Sequence, residues 1–258
     1  MRLTLSIFLT HLIVFSIIAR ADNLDTLPPH WQQQLEGVIQ VDISPLKPAE
    51  QKAIEQARAK VDALLLHAET DKKLLSSEYG KLGNLYLTHD LFTSADACYN
   101  NAIKLAPGHF PWMYYSAYLA QQDGNMQLAL TRFKQATELD TEYLPARYRL
   151  AQVQLELNHL EEAYTLFNQL LSNAEFTAAA HNGLGQVFLM KQEYTSAAEH
   201  FTLALELAPE ANSIHYPLAL SLRAAGNKQL AKQHLQQYGK RELVINDPLV
   251  NALEALKD

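Results

Sequence analysis

The sequence predicts an all-α fold, a solenoid of about five helix-turn-helix repeats closed by a capping helix at each end. Three observations predict it. Alanines stand 34 residues apart, at Ala95, Ala129, Ala163, Ala197 and Ala231, and four residues after each comes Tyr99, Phe133, Phe167, Phe201 or Leu235. Thirteen residues before each alanine sits Leu82, Ser116, Leu150, Leu184 or Leu218, followed directly by the small Gly83, Ala117, Ala151, Gly185 or Ala219. A period of this length marks a supersecondary unit that buries its apolar face only by stacking on its neighbours.

The amino terminus predicts export. Arg2 precedes a run from Leu3 to Ala19 without charge, and Ala19-Arg20-Ala21 places small residues where a signal peptidase requires them, so residues 1–21 read as a signal peptide cleaved after Ala21. The alternative this leaves open is an uncleaved membrane anchor, because the run is close to the lower limit of about 17 residues for a bilayer span. After cleavage no stable membrane span is expected, and the predicted location is periplasmic or secreted.

Residues 22–47 hold Pro28, Pro29 and Pro45 with one short apolar patch and read as an irregular leader. From Pro48 the pattern changes: Ile54, Ala57, Val61, Leu64 and Leu65 recur at helical spacing, which predicts an N-terminal capping helical segment over residues 48–75. The repeat array follows over residues 76–245, in units 76–109, 110–143, 144–177, 178–211 and 212–245.

Within each unit, two helices approach closely only where neither carries bulk. The repeated alanine and the small residue after each leucine therefore mark the crossing of helix A with helix B, and the aromatic one turn on fills the gap towards the next unit. Asp123-Gly124 and Ala225-Gly226-Asn227 read as turns between helices, with glycine supplying a positive φ. At the carboxyl end, Asp247-Pro248 reads as a helix start with Leu249, Leu253 and Leu256 on one side. Residues 246–258 are expected to fold over repeat five as a C-terminal capping helix.

The run Tyr79-x2-Leu82-Gly83-x2-Tyr86, then Ala95-x3-Tyr99, Ala102 and Pro107, resembles the tetratricopeptide repeat (TPR) family, as does His181-x2-Leu184-Gly185-x2-Phe188 with Ala197-x3-Phe201, Ala204 and Pro209. The resemblance spans Ser76 to about Ile245. Ser116 departs from it by replacing the usual leucine, and Thr141 and Glu175 stand where proline ends a unit. What the resemblance implies is a TPR solenoid whose helix A residues line a concave groove for a protein or peptide partner.

The inward positions, read by phase, include Asn84 and Lys81 in the first unit, Tyr114, Tyr115, Tyr118 and Gln121 in the second, Tyr148, Arg149 and Gln152 in the third, Asn182, Gln186 and Leu189 in the fourth, and Tyr216 and Arg223 in the fifth. A surface of tyrosines and amides suits an extended segment whose backbone meets Asn and Gln while apolar side chains rest on rings. Chaperone-binding members of the family clamp a terminal carboxylate with five residues. Only Asn84 and Arg149 match that set, with Gly80, Tyr115 and Pro145 at the other positions, so that activity is not implied.

Catalysis is not predicted. No nucleophile–base–orienter set, carboxylate pair in a cleft or phosphate-cradling glycine loop appears, and a five-repeat array with caps accounts for nearly the whole mature chain. No cofactor is expected. His181 and His215 occupy equivalent positions in consecutive units, as do His200 and His234, and the reading is packing across a repeat boundary, with no metal. Cys98 is the only cysteine, which excludes an intramolecular disulfide and a two-cysteine haem attachment. The net charge is −7, and loss of Arg2 and Arg20 with the signal takes it to −9, which disfavours a nucleic-acid partner.

The function expected from these readings is an exported, non-catalytic scaffold or adaptor that holds a partner protein in its groove. The alternative is an envelope assembly factor docking through its convex face. His215-Tyr216-Pro217-Leu218-Ala219 with Arg223 and Gly226, and later Asp247-Pro248-Leu249, is similar to the last repeat of exported bacterial TPR proteins associated with c-type cytochromes, which would make redox complexes one class of client.

Overall fold

A computed structural model describes residues 27–257. The predicted signal peptide and the first residues of the leader lie outside the described residues. Everything regular in the described part is helical, and the described residues fall into two compact units divided after Pro107.

The first unit holds α1 (Pro48–Leu65), α2 (Lys72–Thr88) and α3 (Phe92–Leu105). Pro48 opens α1 at a position where its missing amide costs nothing, and the Glu50 carboxylate reaches back to accept from the Lys47 backbone N–H at 2.8 Å. Asp71 caps α2 by accepting from the Lys73 amide. Because α2 starts at Lys72, the segment assigned from sequence to the N-terminal cap contains both α1 and the first turn of helix A of repeat one.

Gly83 on α2 faces the Tyr99 ring on α3 so closely that a Cβ there would stand 2.8 Å from it. The ring after the repeated alanine thus packs against the small residue of its own repeat, and Gly185 and Phe201 repeat the arrangement. Phe167 instead reaches forward to Gly183 of the next repeat. The aromatic therefore serves the crossing inside a repeat as well as the gap between repeats.

The described part of the leader, residues 27–47, has no long helix, yet it is packed. Trp31, Leu35 and Val38 are buried, and the Asn101 side chain on α3 both accepts from the Glu36 amide at 2.7 Å and donates to the Glu36 carbonyl at 2.8 Å. One amide side chain so satisfies both backbone groups of an irregular residue, which is what buried loops require.

The second unit pairs α4 (Phe110–Gln122) with α5 (Met126–Leu139), α6 (Leu144–Glu156) with α7 (Leu160–Leu170), α8 (Thr177–Met190) with α9 (Tyr194–Leu207), and α10 (His215–Ala224) with α11 (Lys228–Gln237). Each helix also packs on the next along the chain, and Ala129, Phe133, Ala163, Phe167, Ala197 and Phe201 are buried between them. The turns from helix A to helix B share one device. Asp90, Gly124, Asn158, Gln192 and Gly226, 34 residues apart, all have positive φ, from 57° to 93°. Sequence revealed only the two glycines. The other three adopt the same left-handed turn because the helix packing on either side fixes it.

The last element, α12 (Pro248–Glu254), starts where Asp247 accepts from the Val250 amide. Its placement corrects the expectation that residues 246–258 close repeat five. The chain leaves α11 at Tyr238, turns, and runs back so that Asp247 and α12 bond to residues of repeats two and three. On α11 only Ala231 is buried, and Leu230 and Leu235 stay exposed. The physical reason lies in polar partners: a buried aspartate needs donors, and repeat two and three supply them.

Candidate functional site

The site is built from the A helices of the second unit and the returning tail. Gly239 and Arg241 donate their amides to the backbone and side-chain oxygens of Asn212, and the Ser213 amide donates to the Arg241 carbonyl at 3.1 Å. A Cβ on Gly239 would stand 2.4 Å from the Asn212 side chain, so any other residue there would push the Asn212 amide out of its place. Residues 240–247 then run without regular secondary structure. Leu243 and Ile245 turn inward onto the cluster formed by Tyr148, Phe167, Phe176, Leu184 and their neighbours, while Val244 between them is 86% exposed. Alternation of this kind is the mark of an extended segment lying on a surface.

Asp247 ends the segment in a buried polar pocket. Its Oδ2 accepts from the Tyr114 hydroxyl at 2.5 Å and from the Arg149 Nε at 3.0 Å, and its Oδ1 accepts from the Tyr143 hydroxyl at 2.8 Å. Arg149 Nε also points at the Tyr114 oxygen at 2.8 Å. The Tyr143 oxygen in turn accepts from the Leu249 amide, and the Tyr115 hydroxyl donates to the Leu249 carbonyl, both at 3.0 Å. The Arg149 guanidinium lies over the Tyr118 ring, 4.6 Å from its centroid. Phe110, Tyr114 and Tyr143 pack edge to face or tilted around the pocket, which shields the charges from water and strengthens their attraction.

The tyrosines are fixed as donors. Burial pushes the Tyr114 hydroxyl far above its ordinary value, with the Asp247 charge adding to the rise. Burial raises Tyr143 as well, and lifts Tyr115 to about 12, again with a contribution from Asp247. These groups hold their protons throughout the physiological range, so the pocket presents two hydroxyl donors and one guanidinium to a single carboxylate.

The sequence-predicted site residues fall into three groups. Tyr114, Tyr115, Tyr118 and Arg149 come together, but around the protein's own Asp247 and α12, and Tyr114 is fully buried. Tyr148 is buried too, edge-on to Phe167, and accepts at its hydroxyl from Gln152 at 3.3 Å, beneath the tail. The rest are separate: Asn182 and Gln186 are half-buried on α8, Tyr216 is exposed and pairs with Tyr238, and Arg223 is exposed at the end of α10. In the first unit, Asn84 accepts from the Tyr99 hydroxyl at 2.8 Å, so its side-chain oxygen is engaged within repeat one.

Two residues of the pocket were missed by sequence reasoning. Tyr143 stands outside the helix A phase, at the residue before α6, and Asp247 read only as a helix cap. Asp247-Pro248 was a usable signal for a helix start; no local pattern says that its carboxylate also reaches residues 98 to 133 positions away.

The histidines pair differently from the sequence expectation. His181 meets His200, and His215 meets His234, each through Nδ1 atoms 2.9 Å apart. The pairs therefore lie inside a repeat, between helix A and helix B, and not across a repeat boundary. A contact that short requires one ring to donate and the other to accept, so the two rings of a pair are not both protonated, and burial lowers the pKa of all four. Among the described residues no group of three or more His, Cys, Asp or Glu side chains is placed to hold a metal ion, and no helix is long and apolar enough to cross a membrane. Cys98 is buried.

Comparison with known proteins gives consistent findings. Residues 79–109 and 148–212 each match a family model described as tetratricopeptide repeat. The chain is 27% identical over 136 residues to anaphase-promoting complex subunit 3 of Schizosaccharomyces pombe, a match covering 53% of this chain and 20% of that protein, so it spans about a fifth of that relative's length. Among solved structures, a tetratricopeptide repeat protein from Parabacteroides merdae superposes with a TM-score of 0.61 at 15% identity, over 82% of this chain and 88% of that one. MamA of Desulfovibrio magneticus gives 0.59 at 18% identity, over 71% and 97%. YrrB, described as a TPR protein with an unusual peptide-binding site, gives 0.53 at 20% identity, over 73% and 90%.

Proposed function

We infer, from the premise that this chain belongs to the tetratricopeptide repeat family, that it is a non-catalytic protein-interaction scaffold, exported to a bacterial envelope, which takes an extended partner segment on the helix A face of its second unit. One observation carries the reading. That face already holds an extended segment, residues 240–247, with alternate apolar side chains directed inward and a carboxylate anchored at its end. A surface that binds this ligand when covalently attached has the shape and donors to bind a similar one from another protein. The peptide-binding description of the YrrB fold relative concerns the same class of ligand.

Export rests on the sequence pattern ending at Ala21. An intact mass for the envelope-purified protein that starts at Asp22 supports it, and one that starts at Met1 points to an anchor.

A second reading, docking through the B helices, is favoured by the exposure of Leu203, Leu207 and Leu235 on α9 and α11. A photo-crosslinking residue placed singly at Gln152, Gln186, Leu203 and Leu235 of the full chain, in the native envelope, separates the two. Adducts from Gln152 or Gln186 to a partner protein support the helix A face. Adducts only from Leu203 or Leu235 move the interface to the outer face, and adducts from none remove the scaffold reading.

A further inference from the structure

The tail is built like a ligand. It leaves α11 of repeat five uncovered and crosses repeats four and three to reach repeat two, against the expectation that a terminal helix closes the nearest open end. Its hold is through alternate side chains, and Val244 and Asn246 face solvent. Its anchor is a buried charge. An apolar residue in an apolar pocket would hold a tail at least as firmly, since desolvating two charges offsets most of their attraction. What a buried carboxylate with three matched donors adds is selectivity for that group over others. Two hydroxyls and a guanidinium on Asp247 therefore describe a recognition pocket, and the residues around it describe the sequence it recognises.

Resting on the helix A face as the binding surface, we propose that residues 239–257 are a displaceable internal ligand. The partner segment that displaces them presents an aspartate or glutamate side chain to Tyr114, Tyr143 and Arg149, apolar residues two and four positions before it, and a short apolar-faced helix after it. The tail's own Leu243, Ile245, Asp247 and Leu249–Leu253 supply this pattern. Attached in cis, the tail has the advantage of high effective concentration, so an outside segment of equal intrinsic affinity binds the intact protein only weakly. Release of the tail exposes the pocket. The protein therefore discriminates in favour of partners whose segment exceeds the tail in carboxylate and apolar fit.

The probe is a fluorescein-labelled synthetic peptide of residues 239–257, added to the full-length protein and followed by anisotropy, with hydrogen exchange of the Leu243–Leu253 amides read in parallel. Wild-type protein should bind it weakly. Asp247→Asn keeps the shape of the cap, frees the tail, and should speed exchange in it while tightening peptide binding by about tenfold or more. On the freed protein, the same peptide carrying Asp247→Asn should bind at least about tenfold more weakly, as expected for loss of a charge-assisted contact. Adding Tyr143→Phe, which keeps the ring, should weaken the unaltered peptide in the same direction. A protein whose tail exchanges fast but takes up no peptide overturns the proposal, as does an Asp247→Asn tail that exchanges as slowly as wild type. Equal affinity for the Asp and Asn peptides overturns the carboxylate requirement. Crosslinks to a partner from Gln186 would survive any of these failures, so the scaffold reading stands or falls separately.

Discussion

Arg149 and Asp247, 98 residues apart in the chain, meet at 3.0 Å between Nε and Oδ2, with side-chain exposures of 15% and 3%. Removing one partner from a buried pair typically costs about 3–5 kcal/mol, because the other charge is left without compensation. Here the strain has an exit. Asp247 lies outside the repeats, after a segment without regular secondary structure, so releasing the tail returns its carboxylate to water without unfolding the repeats.

Arg149→Ala should therefore show its effect locally. Amide exchange across Leu249–Leu253 is expected to become fast, while the urea midpoint of the repeats falls by less than about 3 kcal/mol would produce. A cooperative loss of the full amount, with tail and repeats unfolding together, would mean that the tail is integral to the fold.

Stability should fall on mild acidification. His181, His200, His215 and His234 all have pKa values below the ordinary histidine value of about 6.5, burial being the main cause. The unfolded chain then binds more protons than the folded one as pH falls through that region, so the stabilising effect is complete above about pH 7 and is lost progressively as the pH falls below the ordinary histidine value. A melting temperature that drops over this window, and drops less in His181→Gln/His215→Gln, is the expected result. A flat profile would show that the histidine pairs contribute nothing.

Gln192 holds a left-handed backbone at φ 63° where Gly124 and Gly226 hold the same turn with glycine. The Cβ penalty in that region is about 1–2 kcal/mol, offset in part by the greater freedom of glycine in the unfolded chain. Gln192→Gly should raise the stability by roughly 0.5–1 kcal/mol, measured as the shift in urea midpoint. Asn158→Gly should gain less, since asparagine tolerates this region best after glycine.

Phe167 and Gly183 form a matched pair, for a Cβ on Gly183 would come within 2.5 Å of the ring. Phe167→Ala should cost about 3–5 kcal/mol by leaving a cavity, and Gly183→Ala about 1–3 kcal/mol by overpacking. The double mutant should be more stable than the sum of the two predicts, because the added methyl enters the space that the ring vacates. Strict additivity would mean that the two residues do not share that space.

How much was legible in the sequence varies with the range of the interaction involved. The 34-residue period gave the repeats, because an A–B crossing needs a small residue at a fixed distance along the same helix pair, and that requirement is written locally at Gly83, Ala95 and Tyr99 or Gly185, Ala197 and Phe201. Asp247-Pro248 was readable as a helix start for the same reason, since a cap uses amides two or three residues on. The turn at Gln192 was invisible, because its conformation is imposed by the helices on either side and its residue type does not favour it.

The sequence by itself determined an all-helical tetratricopeptide array, its phase, and the tyrosine-rich composition of the helix A face. Only the tertiary structure decided that Tyr114, Tyr143 and Arg149 converge on Asp247, and that the last helix lies across repeats two and three with α11 left open. Periodicity encodes which residues recur along a helix pair. The return path of a terminal segment is set instead by where a buried charge finds its donors, and that depends on side chains brought together from positions about a hundred residues apart.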